Sequence, residues 1–138
     1  MIWQETFTLQ TSGRSCMEIT RQVQSLIRES GIQTAIAQLF VHHTSASLLI
    51  SENADPQVPA DLEAFMQRAV PDGDPLFRHT AEGPDDMPAH VRTVLAGCDM
   101  SFPVSAGQAD LGTWQGIYLW EHRTAPHRRR LTLTLQGE

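Results

Sequence analysis

The stretch Arg130-Leu131-Thr132-Leu133-Thr134-Leu135-Gln136 decides the fold class. Leucine alternates with threonine, so Leu131, Leu133 and Leu135 share one face of an extended chain while Thr132 and Thr134 share the other. That is a strand with one face on a core. Further back, Asp99 to Val104, Gly116 to Glu121 and the apolar run Ala46 to Ile50 read as strands, as does Ile2 to Leu9 with Trp3, Phe7 and Leu9 on one face. Thr34 to Val41 is apolar on both alternating faces, which predicts a strand covered on both sides.

Three helical patterns are interspersed with these strands. Ser15 and Glu18 have the spacing of a capping box, Cys16, Ile19, Val23, Leu26 and Ile27 follow as one apolar stripe, and Gly31 supplies a left-handed stop. A second helix over Val58 to Val70 carries Val58, Leu62, Phe65, Met66 and Ala69 on one face and ends at Pro71. Its start is obscured by Pro56 and Pro59, which do not both fit comfortably inside a first turn. A third runs from Asp86, as N-cap, to Gly97. The order β-α-β-β-α-α-β-β-β predicts one α+β domain over residues 1–138, built on mainly antiparallel sheets.

Bulk composition narrows the function classes. With 41% hydrophobic and 19% charged residues the chain buries a core and is not disordered. A net charge of −6 argues against a nucleic-acid partner. No apolar run approaches membrane-span length, and Met1-Ile2-Trp3-Gln4-Glu5 has no basic region leading into an apolar run, so no membrane partner and no signal peptide are expected and a cytoplasmic location is. Cys16 and Cys98 sit among apolar neighbours and read as reduced, buried thiols. The basic run Arg128-Arg129-Arg130 reads as a solvated strand start or a contact for a phosphate.

Function shows where local rules are broken. In His42-His43-Thr44-Ser45-Ala46-Ser47, two imidazoles and three hydroxyls fall between apolar runs. Alternation aims only one of the two rings into a shared pocket, unless both merely cap the strand. From His79 to His90, two histidines flank Glu82, Asp85 and Asp86, a composition suited to holding a metal such as zinc through neutral rings oriented by carboxylates. The spacing matches no self-contained metal motif, so His43, His79 and His90 must be gathered by the fold if they are to form a three-histidine site. Between Gly107 and Glu121, three glycines permit close backbone approach, and Trp114 is either a stacking surface or a loop plug. Glu121 shares a strand face with Ile117 and Leu119, so it lies either at a solvated strand mouth or in a pocket as a perturbed acid–base group.

These segments together resemble the YjbQ family, also called the secondary thiamine-phosphate synthase enzyme family. The resemblance is carried by His43-Thr44-Ser45-Ala46-Ser47, by Glu52-Asn53 with Asp55-Pro56 and Asp61, by Glu82-Gly83 with Asp85-Asp86-Met87-Pro88 and His90, by Gly112-Thr113-Trp114-Gln115-Gly116-Ile117, and by the closing Leu135-Gln136-Gly137-Glu138. It implies a β-sandwich-like α+β fold with about three helices, assembled as a homotrimer. It also implies a weak thiamine-phosphate synthase activity, in which the aminopyrimidine of a diphosphate ester joins a thiazole phosphate and pyrophosphate leaves. By position, it makes His43, His79 and His90 ligands of a divalent metal, read as zinc. Thr44, Ser45, Ser47, Trp114 and Gln115 become contacts to a phosphorylated small-molecule substrate. Asn53 and Asp61 then position the second substrate and Glu121 is the acid–base group. Two other readings use the same residues: a non-catalytic trimer that binds a metal or phosphorylated metabolite, and a metal-dependent hydrolase.

Overall fold

The computed structural model describes all residues from Met1 to Glu138. Eight strands and three helices follow in the order β1 (Ile2–Gln10), β2 (Ser15–Glu18), α1 (Thr20–Ser30), β3 (Ala35–Val41), β4 (Ala46–Glu52), α2 (Gln57–Ala69), α3 (Asp86–Ala96), β5 (Asp99–Ser105), β6 (Gln108–Ala109), β7 (Gln115–Glu121) and β8 (Arg128–Gly137). Every strand pairing is antiparallel. One sheet has the order β1-β8-β3-β5-β6 and the other β2-β7-β4. The expected class, α+β with antiparallel sheets in sandwich-like layers and three helices, is the observed one. None of the three helices is long and apolar enough to cross a membrane.

The leucine stripe does what its period demands. Leu131, Leu133 and Leu135 of β8 are wholly buried beside Ala37, Leu39 and Val41 of β3, and they meet Leu48, Ile117 and Leu119 of the smaller sheet in one continuous core. Ile19, Val23 and Ile27 of α1 complete that core. The opposite face of the smaller sheet packs on α2 and α3 through Met66, Val70 and Trp120, with Leu49, Leu62 and Val91 around them. β7 is therefore buried on both faces, with Ile117, Leu119 and Glu121 toward the sheet-to-sheet core.

Three local expectations are corrected. Ser15 and Glu18 do not cap a helix. Ser15–Glu18 is strand β2, paired with Glu121 to Tyr118 of β7, and the helix starts at Thr20. Four residues of sheet edge outweigh one capping box, and Glu18 instead accepts hydrogen bonds from Thr20 Oγ1 at 2.8 Å and Asn53 Nδ2 at 3.3 Å. The Gly31 stop is present, at φ 73°. Pro56 and Pro59 coexist in α2 because Pro56 is the N-cap, at φ −63°, and Pro59 is the third helical residue, where no N–H is required. β3 is covered on one side only: Ile36 is 67% exposed and Phe40 39%.

At the end of β7, His122 is fully buried between the layers, its Nε2 paired with Ser47 Oγ at 2.8 Å. Burial, followed by the nearby charges of Arg92, Arg14 and Arg129, pushes its pKa down to about 3. The unfolded chain therefore takes up this proton before the folded one does, so the neutral ring contributes full stability above about pH 6.5 and loses it as pH falls toward 3. The difference in unfolding free energy between wild type and His122→Gln, from urea titrations, is expected to be flat above pH 7. Below pH 6 it should shift against wild type by ~1.4 kcal/mol per pH unit, the slope for one proton.

Candidate metal centre

α3 places Asp86 and His90 one turn apart on the same face, and the loop between α2 and α3 brings His79 to them. Asp86 Oδ2 lies 2.8 Å from His79 Nε2 and 3.3 Å from His90 Nε2. The two rings meet edge to face with centroids 5.4 Å apart. One donor atom from each of the three residues falls within 4.8 Å of the others. Asp86 is buried, and its second oxygen, Oδ1, is 3.1 Å from Arg123 Nη1. Arg123 also donates from Nε to Asp85 Oδ2 at 2.9 Å and from Nη2 to the Glu82 carbonyl at 3.0 Å. Burial alone would raise the Asp85 pKa, but Arg123 and the Thr124 backbone N–H outweigh it and hold the carboxyl at about 2.

His90 Nδ1 is 3.2 Å from the carbonyl oxygen of Thr44. A carbonyl only accepts, so Nδ1 carries a proton and the ring turns its Nε2 toward Asp86 Oδ2. A proton on Nε2, or a cation held between Nε2 and Oδ2, makes that 3.3 Å approach favourable. The segment His42–Ser47 thus reaches the centre through the backbone of Thr44.

Neither of its imidazoles does. His43 Nε2 accepts the Arg130 backbone N–H at 2.8 Å, and His42 Nε2 pairs with Thr132 Oγ1 at 2.7 Å on the outer sheet face. Within one chain His43 thus caps the strand end and lies outside the group formed by His79 and His90. Within one chain the third donor beside His79 and His90 is Asp86.

Glu121 is corrected likewise. It is 1% exposed, and it accepts from Arg129 through both Nε and Nη2, from Thr11 Oγ1 at 2.7 Å and from the Arg123 N–H at 3.1 Å. Burial would raise its pKa, but these four donors more than offset that and lower it. A carboxylate held this way is a fixed anion, and Arg129 is its counter-ion instead of a free phosphate contact. Ser45 is buried, its Oγ accepting from Arg129 Nη2 at 3.0 Å. Ser47 is wholly buried on His122, which leaves Thr44 as the exposed hydroxyl of the segment.

The remaining candidates gather at the other end of β4 and β7. Asn53 N–H donates to the Trp114 carbonyl at 2.9 Å, Gln115 Oε1 accepts the Gly112 N–H at 2.7 Å, and Asp61 accepts from Gln57 at 2.7 Å. Trp114 is 64% exposed, so it plugs nothing within this chain. Gly116 is close-packed by its own chain: a Cβ there would sit 2.7 Å from Glu18 Oε2. The seven residues of β4 separate the two groups by about 20 Å at the usual strand rise.

The family model described as UPF0047 protein YjbQ-like matches residues 5–138. The chain belongs to the YjbQ/UPF0047 family. It is 44% identical over 135 residues to a UPF0047 protein of Synechocystis, covering 98% of this chain and 92% of that one. It is 40% identical over 139 residues to the UPF0047 protein YjbQ of Escherichia coli O157:H7, with both chains covered in full. Among solved structures, the uncharacterized conserved YjbQ/UPF0047 family protein of Clostridium acetobutylicum superposes with a TM-score of 0.86 at 33% identity, covering 96% of this chain and 99% of that one. A hypothetical protein of Aeropyrum pernix K1 gives a TM-score of 0.89 at 26% identity, with 99% of each chain covered.

In this YjbQ-family chain the residue that sequence reasoning missed is Asp86. The sequence makes it an N-cap, whereas Asp85 holds that position and makes no side-chain cap bond. The available signal was the (i, i+4) spacing of Asp86 and His90, which puts both on one helix face. If Glu121 is a structural anion, Glu121→Gln should cost about 3–5 kcal/mol of unfolding free energy in denaturant titration, the usual loss when one partner of a buried ion pair is removed. A stability unchanged from wild type would return Glu121 to the list of acid–base candidates.

Proposed function

We propose that this YjbQ-family protein is a metal-dependent enzyme acting on a phosphorylated small molecule, with a divalent ion held by His79, Asp86 and His90. The gathering of His79, Asp86 and His90, with one donor atom of each within 4.8 Å of the others and Asp86 buried, carries the reading. Two imidazoles and a carboxylate suit zinc, and three protein ligands leave a coordination position for water or substrate, as in catalytic zinc sites. A bound ion would supply the positive charge that a departing phosphate or pyrophosphate requires.

The chain's own groups prepare the site. The Thr44 carbonyl fixes the tautomer and orientation of His90, and Arg123 holds Asp86 by the oxygen that faces away from the rings. Beside His79 opens a cavity of about 320 Å³ walled by Gly73, Asp74, Phe77, Met87 and Pro88, with room for the organic part of a small phosphate ester.

Coupling of thiamine-phosphate synthase type is one form of this chemistry. It requires a second substrate beside the metal, and Asn53, Asp61, Trp114 and Gln115 lie at the far end of the smaller sheet. A homotrimer that sets the far end of one protomer against the metal centre of another would unite them. The exposed apolar residues Ile2, Ile36 and Phe40 on the larger sheet offer a surface for such assembly. Hydrolysis is the second form. The same separation favours it, because one substrate and water suffice at the metal centre.

Elemental analysis of purified protein is expected to give one divalent ion per chain in wild type and in His43→Ala, and none in His79→Ala, Asp86→Asn or His90→Ala. Metal retained by His90→Ala and lost by His43→Ala would overturn the ligand set. Removing Arg123 by substitution to Gln should weaken metal affinity by roughly 10- to 100-fold, the usual effect of releasing a ligand's hydrogen-bond partner. With the metal in place, a coupled product from a pyrimidinylmethyl diphosphate and a thiazole phosphate identifies the transferase. Phosphate release from simple esters alone identifies the hydrolase.

A further inference from the structure

The loop between α2 and α3 satisfies its own backbone and stands largely clear of the body. From Gly73 to Glu82 every residue is exposed except Asp74 and Phe77, which are half-buried. The two ends are drawn together where the Gly73 N–H donates to the Pro84 carbonyl at 3.1 Å. Inside, Asp74 accepts the Leu76 N–H on Oδ1 at 2.9 Å and the Phe77 N–H on its carbonyl at 3.1 Å. The Gly83 N–H closes a second turn on the Thr80 carbonyl at 3.2 Å. Such a loop, compact and with adjacent ends, is a unit of local structure that can open without unfolding the rest. Gly73, at φ 71°, and Gly83, at φ 106°, mark its two ends with backbone conformations that other residues rarely adopt.

Both roots of the loop are anchored by arginines. Arg14 holds Asp72 at 2.6 and 3.0 Å, and Arg123 Nη2 donates to the Glu82 carbonyl at 3.0 Å. Between those roots, from Asp74 to Ala81, the one polar contact that leaves the loop is His79 Nε2 on Asp86 Oδ2, and the His79 side chain is 51% exposed. An exposed contact of that kind adds little, whereas a metal bond made by the same nitrogen couples ion binding to local folding. The cavity of about 320 Å³ beside His79 is walled jointly by Gly73, Asp74, Phe77 and Thr80 of this loop and by Met87 and Pro88 of α3. It exists only while the loop lies against the helix.

We infer that residues 73–83 form a lid over this cavity, latched through His79 when a metal is bound. The inference rests on the ligand set proposed above and divides it into fixed and moving parts. Asp86 and His90 share one rigid face of α3 and keep their places whether the lid is open or shut. His79 arrives with the loop, closes the coordination and holds Phe77 and Thr80 in the cavity wall. Without the ion the loop is free to swing on Gly73 and Gly83, and the cavity opens to solvent. By reciprocity, an organic group that seats against the closed lid tightens the hold on the metal.

Limited trypsin digestion of the full chain reads the lid at Arg78, the residue next to the latch. The chain has no lysine, and Arg78 is the arginine that is exposed in a loop and makes no ion pair. The others lie in helices or strands or, like Arg14 and Arg123, are held by carboxylates. Chelator-treated protein is expected to be cut after Arg78. Saturating zinc should slow that cut roughly tenfold or more, because cleavage follows the population of the open form. His79→Ala should be cut at the metal-free rate with or without zinc. Amide hydrogen exchange of the metal-free protein should be fast over residues 73–83 while α3 stays protected, and zinc should slow the loop. Zinc bound by elemental analysis, with cleavage and loop exchange unchanged, overturns the lid and leaves the metal centre standing. Exchange of the loop and α3 together, or zinc protection of His79→Ala equal to wild type, also overturns it. A protein that binds no zinc removes the metal centre itself, and the latch with it.

Discussion

The buried pair of Glu121 and Arg129 ties the two sheets together at the end where the candidate centre lies. Glu121 ends β7 of the smaller sheet and Arg129 lies near the start of β8 in the larger, each on the face directed at the shared core. Around them, Thr11 anchors the chain after β1, the Arg123 N–H anchors the turn after β7, and the Ser45 carbonyl and hydroxyl take Arg129 Nη2. Two charges out of water are a poor source of net stability, but the pair with its neighbours fixes register at one point between otherwise featureless apolar faces. Ser45 held there sets the peptide before it, and the Thr44 carbonyl is what His90 needs. The ion pair is thereby coupled to the orientation of His90, a ring that it never touches.

Periodicity made most of the architecture legible. Leu131 to Leu135 carry the alternation of a strand buried on one face, Gly116 to Glu121 the apolar run of one buried on both, and Gly31 and Gly97 end helices as their backbone freedom suggests. Legibility fails where a short element depends on a distant partner. Ser15–Glu18 has the local chemistry of a helix start and becomes a strand because β7, a hundred residues away, offers an edge. The apolar outer face of β3 shows a different limit. The apolar pattern predicts cover over Ile36 and Phe40, and within one chain both are exposed.

The candidate site was half legible for a related reason. Residue types marked the two segments, but alternation at a strand end cannot say which ring turns inward when the backbone also has hydrogen bonds to satisfy. His43 answers the Arg130 N–H, which would otherwise be an unpaired strand donor, and so faces away from the centre. Attention to imidazoles also hid the carboxylate. Asp86 is buried and divided between Arg123 on one oxygen and two histidines on the other, a role that no local pattern of acidic residues distinguishes from a helix cap.

Charge accounting sets the order in which ligands can arrive. Arg123 is shared among Asp85, Asp86 and Glu82, so three carboxylates face one guanidinium. The cluster is therefore net negative, in a chain whose overall charge is −6. Such a site draws cations and repels a bare phosphate, whose negative charges would meet Asp86 first. On the proposed reading, a divalent ion between the histidines and Asp86 would reverse that sign locally and give a phosphate something to approach. An anionic substrate would then follow the metal, because without the ion Asp86 and its neighbours Asp85 and Glu82 repel phosphate.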